Sequence, residues 1–210
     1  MKLIAVNGSP RPNFNTAKLL KEAVRGAQDA GAETEYADLY KIPFKGCVSC
    51  FLCKRRDGEA CVCQVKDDIQ PLFERILKAD ALVLGSPVYF GDVTAGAEAF
   101  LERLVFPALS YDDFSSRVYT GHVNCGLILT MNEKDASLHE ALVKQKAGML
   151  SMLHGAVETY ASTFTVQFDD YAKYHAAGLG GETRIARQAE QFPKDLQAAY
   201  DMGKRLVTPA

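Results

Sequence analysis

The chain has 210 residues, 48% of them hydrophobic, and a formal net charge of −2. That is length enough for one globular domain over 1–210 with a substantial core. The balance of charge lacks the basic face of a nucleic-acid binder, and no apolar run approaches the length of a membrane span.

The N-terminus enters a strand directly. Leu3-Ile4-Ala5-Val6 is an apolar run too short for a helix, and it reads as a strand buried on both faces. With no signal peptide ahead of it, a cytoplasmic protein with reduced thiols is expected. A polar loop, Asn7 to Thr16, follows. Ala17, Leu20, Ala23, Val24 and Ala27 then recur at helical spacing, and Gly31 supplies a stop. Glu33 to Leu39 alternates enough for a second, more exposed strand. A cysteine-rich loop occupies about 43–66. Asp67 and Gln70 have the spacing of a capping box, and Ile69, Leu72, Phe73 and Ile76 stripe a second helix that tolerates Pro71 in its first turn. Ala81 to Gly85 is a third strand. Ala97, Phe100, Leu101, Leu104 and Val105 stripe a third helix. An irregular excursion covers about 106–121, and Val123 to Leu129 is a fourth strand containing the lone Cys125. A fourth helix is expected over about 135–153, a fifth strand from Glu158 to Phe168, a second excursion over about 169–183, and a last helix from near Pro193.

Strands alternating with helices predict an α/β doubly wound parallel sheet with helices on both faces. The expected strand order is the flavodoxin-like 2-1-3-4-5, with a ligand at the switch between the first and third strands. The loop after the first strand lies at that point. Ser9, Asn13, Asn15 and Thr16 offer hydroxyl or amide donors, and Arg11 offers a cationic fork. The helix N-terminus adds unpaired N–H groups and a partial positive charge, worth about 0.3–1 kcal/mol to an anion. The set suits a phosphate monoester. It has neither the G-x-G-x-x-G of a dinucleotide site nor the G-K-[ST] of a nucleotide-hydrolysing loop. The plain alternative is a βα turn in which Asn15 or Thr16 caps the helix.

Gly85-Ser86-Pro87-Val88-Tyr89-Phe90-Gly91-Asp92-Val93 follows the third strand, beside the first loop in this topology. Pro87 stiffens it, and Val88, Tyr89 and Phe90 supply apolar surface and main-chain N–H groups suited to a planar heterocycle. Thr130 to Glu133 is the third loop that topology brings to the site. His122, His139, His154 and His175 share no metal-ligand spacing. Tyr111, Tyr119, Tyr171 and Tyr174 concentrate in the two excursions, and tyrosine-rich loops favour interfaces.

Five of the six cysteines fall between positions 47 and 63. Cys47, Cys50 and Cys53 form C-x-x-C-x-x-C, with Cys61 or, alternatively, Cys63 as a fourth thiol. Thiolates at such spacing suit zinc or an iron–sulfur cluster; reduced, uncoordinated thiols are the alternative. Lys45, Lys54, Arg55 and Arg56 nearby are expected to lower the thiol pKa values.

Gly8-Ser9-Pro10-Arg11 followed by Asn15-Thr16-Ala17 resembles the phosphate loop of the flavodoxin-like NAD(P)H-dependent FMN reductases. The branch that includes the iron–sulfur flavoproteins is the most similar. The third-strand loop, the cysteine segment running into Asp67-Asp68, and Asp170-Tyr171-Ala172-Lys173-Tyr174 agree with it. Pro12-Asn13-Phe14 departs from the Lys-Asn-Gly more common in the family, and Phe44 stands where many relatives have their first cysteine. The resemblance implies FMN held by Ser9, Arg11, Asn15 and Thr16 at its phosphate and by Pro87, Val88, Tyr89, Phe90 and Gly91 at its ring. It implies a homodimer or higher homo-oligomer, NAD(P)H as donor and a small-molecule or protein acceptor. A [4Fe–4S] cluster on Cys47, Cys50, Cys53 and Cys61 is a further expectation. With the flavin doing the redox chemistry, no side chain is assigned as nucleophile or base. The alternative function is an iron–sulfur flavoprotein that carries electrons between redox proteins.

Overall fold

Among the described residues, five parallel strands carry the chain: β1 (Lys2–Asn7), β2 (Glu33–Asp38), β3 (Ala81–Pro87), β4 (Val123–Thr130) and β5 (His154–Ser162). They form one sheet in the expected order, β2-β1-β3-β4-β5. The computed structural model describes residues 1–58 and 61–208; residues 59 and 60 of the cysteine loop lie outside the described set. The helices are α1 (Asn15–Asp29), α2 (Gln70–Ile76), α3 (Ala95–Val105), α4 (Glu140–Leu150), α5 (Gly181–Glu190) and α6 (Phe192–Leu206). Among the described residues, no helix is long and apolar enough to cross a membrane.

The apolar run of β1 is buried on both faces because successive side chains alternate. Leu3 and Ala5 join Leu19, Leu20 and Ala23 of α1 and Ala199, Met202 and Leu206 of α6. Ile4 and Val6 join Leu72 and Phe73 of α2, Phe100 and Leu104 of α3, and Leu142 and Leu150 of α4. Helices therefore cover both faces, and the loops leaving β1, β3 and β4 emerge together at one edge.

Four expectations are corrected. The capping box at α2 does not form, because no side chain caps that helix and Asp67 instead accepts two hydrogen bonds from Arg103. The fourth helix is α only over Glu140–Leu150, with a 3-10 turn at each end. The fifth strand begins at His154 and ends at Ser162, six residues before Phe168. Its neighbour β4 stops at Thr130, so the β-branched stretch beyond Ser162 has no partner strand to pair with. That stretch turns over the sheet end instead: Phe164 N–H donates to Glu133 and Thr165 N–H to Met131, with Phe164 at φ 51°. Finally, helix α5 follows the second excursion. Its polar sequence buries Arg184 alone, so it carries no apolar stripe to reveal it.

Candidate functional site

The ends of β1, β3, β4 and β5 enclose a cavity of about 360 Å³. That lies within the range of small-molecule sites, about 300–1,000 Å³. Ser9, Arg11, Phe14, Asn15 and Thr16 form one wall, Pro87 to Phe90 a second, Thr130 to Glu133 a third, and Thr165, Gln167, Phe168 and Leu179 a fourth. Of the nine positions expected to hold a cofactor, eight line this one space. Gly91 does not; it shapes the turn behind it.

The first wall is held from behind. Asn7 accepts the Ser9 N–H at 3.1 Å and donates to Asp38 at 2.8 Å. Burial pushes the Asp38 carboxyl up, but hydrogen bonds from Lys41 and Asn7 outweigh it and hold the group below its ordinary value. Gly8 lies against α3: a Cβ there would stand 2.8 Å from the Ala97 Cβ and 3.0 Å from the Gly85 carbonyl. Any side chain would push the loop off the sheet end.

Helix α1 begins with Phe14 as its N-cap, and no side chain caps it. The plain alternative, a turn in which Asn15 or Thr16 serves as cap, is not what forms; both are the first helical residues and both are buried. The N–H groups of the first turn, which have no intrahelical partner, are left without a side-chain cap at the cavity. Asn15 Nδ2 donates to the Val166 carbonyl at 2.8 Å, while its Oδ1 is buried without a partner. Thr16 Oγ1 shares a 2.8 Å hydrogen bond with Thr130 Oγ1, joining the first wall to the third. Arg11 is already partly engaged: it donates to the Gln167 carbonyl at 2.6 Å and lies 3.7 Å over the Phe14 ring. Phe14, the departure from the usual loop, thus seats the arginine.

The second wall is a tight turn. Val88 N–H donates to Thr130 O, and Tyr89 and Asp92 exchange two main-chain hydrogen bonds. The residues between them have φ of 51° (Phe90) and 85° (Gly91). Positive φ suits glycine but strains a bulky side chain. Phe90 is fully exposed there, its ring projecting from the rim. Lys146 of α4 anchors the turn through ion pairs with Asp92 at 3.1 Å and Glu98 at 2.5 Å, its own side chain 1% exposed.

The fourth wall escaped sequence reasoning. Phe168 stacks on Tyr174 with centroids 4.0 Å apart, and Tyr171 accepts the Gln167 N–H at 2.8 Å. Tyr171 and Tyr174 of the second excursion were the signal and pack on this wall, whereas Tyr111 packs on Phe51 and Phe106 and Tyr119 is buried in the core.

The cysteine loop forms a second, smaller site. Cys47, Cys50, Cys53 and Cys63 line a pocket of about 20 Å³ with Arg103, Phe51 and Phe106. Cys61 does not line it; its backbone is left-handed, at φ 68°. The structure therefore groups Cys63, not Cys61, with the C-x-x-C-x-x-C thiols. Arg103 Nε donates to Cys63 Sγ at 3.4 Å. Burial pushes the Cys53 and Cys61 thiols above their ordinary value, against the opposing pull of Lys54. For these two thiols the expectation of a lowered pKa is corrected: Lys54 is itself turned to the carbonyls of Phe106, Pro107 and Leu109. The sulfur donors suit zinc or iron, but the pocket has about the volume of one water. Among the described residues no three Cys, His, Asp or Glu side chains converge as metal ligands. In this arrangement the loop does not fit a cluster.

The sequence profile of the NADPH-dependent FMN reductases matches residues 1–158. The chain belongs to that family. An iron–sulfur flavoprotein of Methanocaldococcus jannaschii is 38% identical over 103 residues, which are 49% of this chain and 51% of that one. Another, from Archaeoglobus fulgidus, is 35% identical over 127 residues, 60% of each chain. The chain thus spans about half to three fifths of the length of these relatives. The fold is shared with an NAD(P)H:quinone oxidoreductase from Methanothermobacter marburgensis, at a TM-score of 0.67 and 18% identity, covering 100% of this chain and 98% of that one.

The large cavity passes the test of fit for the family's cofactor. The open N-terminus of α1 suits a phosphate, and the orphaned Asn15 Oδ1 calls for a hydroxyl donor such as the ribityl chain of FMN carries.

Proposed function

We propose that this protein is a flavin oxidoreductase that holds FMN in the large cavity and passes electrons from NAD(P)H to a small-molecule or protein acceptor. The observation that carries the reading is the uncapped α1 N-terminus with the unpartnered, buried Asn15 Oδ1, both at one wall of a cavity of ligand size. When bound, FMN supplies hydride and single-electron transfer. The residues supply position. The first-turn amides of α1, with Ser9 and Thr16, take the phosphate end, Asn15 Oδ1 accepts from a ribityl hydroxyl, and Arg11 adds charge. Pro87 to Phe90 form the wall for the ring, with Gly91 setting their turn. Membership of the family supports NADPH or NADH as donor, and Tyr111 and Tyr174, the exposed tyrosines of the two excursions, support a homo-oligomer. The six free thiols suit the cytoplasm. Apoprotein mixed with FMN should bind it, and anaerobic NADPH or NADH should then bleach the flavin. Persistent yellow colour with both would overturn the nicotinamide part.

Electron carriage is the second reading, favoured by the four thiols around one pocket and by the iron–sulfur flavoproteins among the relatives. It requires the cysteine loop to rearrange, with Cys63 in place of Cys61. Iron and acid-labile sulfide in anaerobically purified protein would support it, and their absence would remove it.

A further inference from the structure

Arg184, in the first turns of α5, is 3% exposed. Its guanidinium donates to three main-chain carbonyls: Nε to Leu179 at 2.6 Å, Nη1 to Thr165 at 3.0 Å and Nη2 to Asn132 at 3.1 Å. Each of these residues lines the large cavity, and each belongs to a different segment. Asn132 follows β4, Thr165 follows β5, and Leu179 precedes α5. The guanidinium carbon also sits 4.0 Å over the ring of Phe164, the residue held at φ 51° where the chain turns over the sheet end. Among the described residues no carboxylate comes within ion-pair distance of Arg184; the ionisable groups that act on it from farther off are Tyr171 and Glu133.

A buried cation without a carboxylate is costly, because carbonyl dipoles replace only part of its hydration. Arginine also cannot shed its proton to escape that cost. The charge therefore persists one residue behind the wall of a cavity suited to an anionic cofactor. Reduction of FMN adds two electrons and one proton to a neutral ring, which leaves it with one negative charge. Charge near the ring is a principal means by which a protein tunes a flavin.

We propose that Arg184 is a positioning residue for the flavin: its fork pins three segments of the cavity wall, and its unpaired charge favours the reduced, anionic ring over the oxidised one. The charge role rests on the FMN reading; the clamp does not. Lysine preserves the charge but cannot span three carbonyls from one rigid fork, so R184K and R184Q separate the two roles.

The test has two arms. In flavin-free protein, hydrogen exchange at residues 131–133 and 165–168 should quicken at least tenfold in both variants, with β3 still protected. In titrations with oxidised and with chemically reduced FMN, R184Q should lose at least tenfold more affinity for the reduced form. For a two-electron couple that lowers the midpoint potential by about 30 mV. R184K should keep the wild-type ratio of the two affinities. Wild-type exchange in both variants overturns the clamp. An unchanged ratio in R184Q, or one that falls equally in R184K, overturns the charge role. A wild type that binds no FMN overturns the flavin reading and the charge role with it, while exchange in the flavin-free protein still decides the clamp. If R184Q loses protection in β3 as well, R184K decides the clamp, and R184M, neutral but similar in length, replaces R184Q in the affinity arm with the same two outcomes.

Discussion

At the large cavity, side chains tie together segments far apart in sequence: Asn15 to Val166, Thr16 to Thr130, Arg11 to Gln167, Lys146 to Asp92. In the cysteine loop, Arg103 and Lys54 fasten the margins, while Cys47, Cys50 and Phe51 are exposed and Ser49 and Phe51 adopt left-handed backbone. The first region is fixed before any ligand arrives. The second is held by Lys54, by Arg103 and by the Phe51 ring on Phe106 and Tyr111, with Cys47 and Cys50 left exposed beside a space too small for a cluster. Preorganisation lowers the ordering cost of binding, so changes in the first region should be felt strongly and changes in the second weakly.

The largest effect is expected at Gly8. Gly8→Ala places a methyl against Ala97 and the Gly85 carbonyl. It should cost about 1–3 kcal/mol by overpacking and weaken FMN binding at least tenfold; chemical denaturation and flavin titration check the two. Lys146→Met comes next. It leaves Asp92 and Glu98 without their cation, but both carboxylates are partly exposed. About 1–2 kcal/mol is expected, below the cost of breaking a wholly buried pair, and a shift in denaturation midpoint measures it. Phe90→Gly should act in the opposite direction on stability. Relief of the positive φ should stabilise the fold by about 1 kcal/mol while FMN affinity falls. A variant that loses stability as well as affinity would show that the turn is not strained.

Cysteine substitutions should have the smallest effect. Cys47→Ser and Cys50→Ser, at exposed positions, should change stability by less than about 0.5 kcal/mol. The half-buried thiols give a pH test. Cys53 and Cys61 are held above the ordinary value by burial. At a given pH they therefore carry less of the reactive thiolate, and their alkylation should still be accelerating as pH rises beyond about 8.5, the ordinary thiol value. A rate that has levelled off below pH 8, followed residue by residue with mass spectrometry, would contradict that.

The sheet order and three of the four cavity walls were legible in the sequence, two from local pattern and the third, Thr130 to Glu133, from the topology. Leu3 to Val6 can only be a buried strand, and a polar loop followed by a helical stripe marks the sheet end. The rest depends on long-range contacts. Thr163 to Phe168 has the composition of a strand, but whether it continues the sheet depends on where β4 stops. Arg184 reads as a surface charge on a polar helix until its three carbonyls are seen together. Asp67 has the spacing of a cap, yet Arg103, 36 residues on, takes it. Cys61 and Cys63 both fit the place of a fourth ligand by spacing, but Cys61, left-handed at φ 68°, lies outside the pocket that Cys47, Cys50, Cys53 and Cys63 line.

Flavin titration of three apoproteins tests the central claim most directly: wild type, Arg11→Ala with Thr16→Ala, and the variant with Cys47, Cys50, Cys53 and Cys63 all changed to Ser. Quenching of FMN fluorescence should show saturable binding at one site per chain in wild type and in the cysteine variant. The loop variant should bind at least tenfold more weakly, with its circular dichroism unchanged. Loss of FMN from the cysteine variant, with full retention by the loop variant, would contradict the assignment of the cofactor to the large cavity.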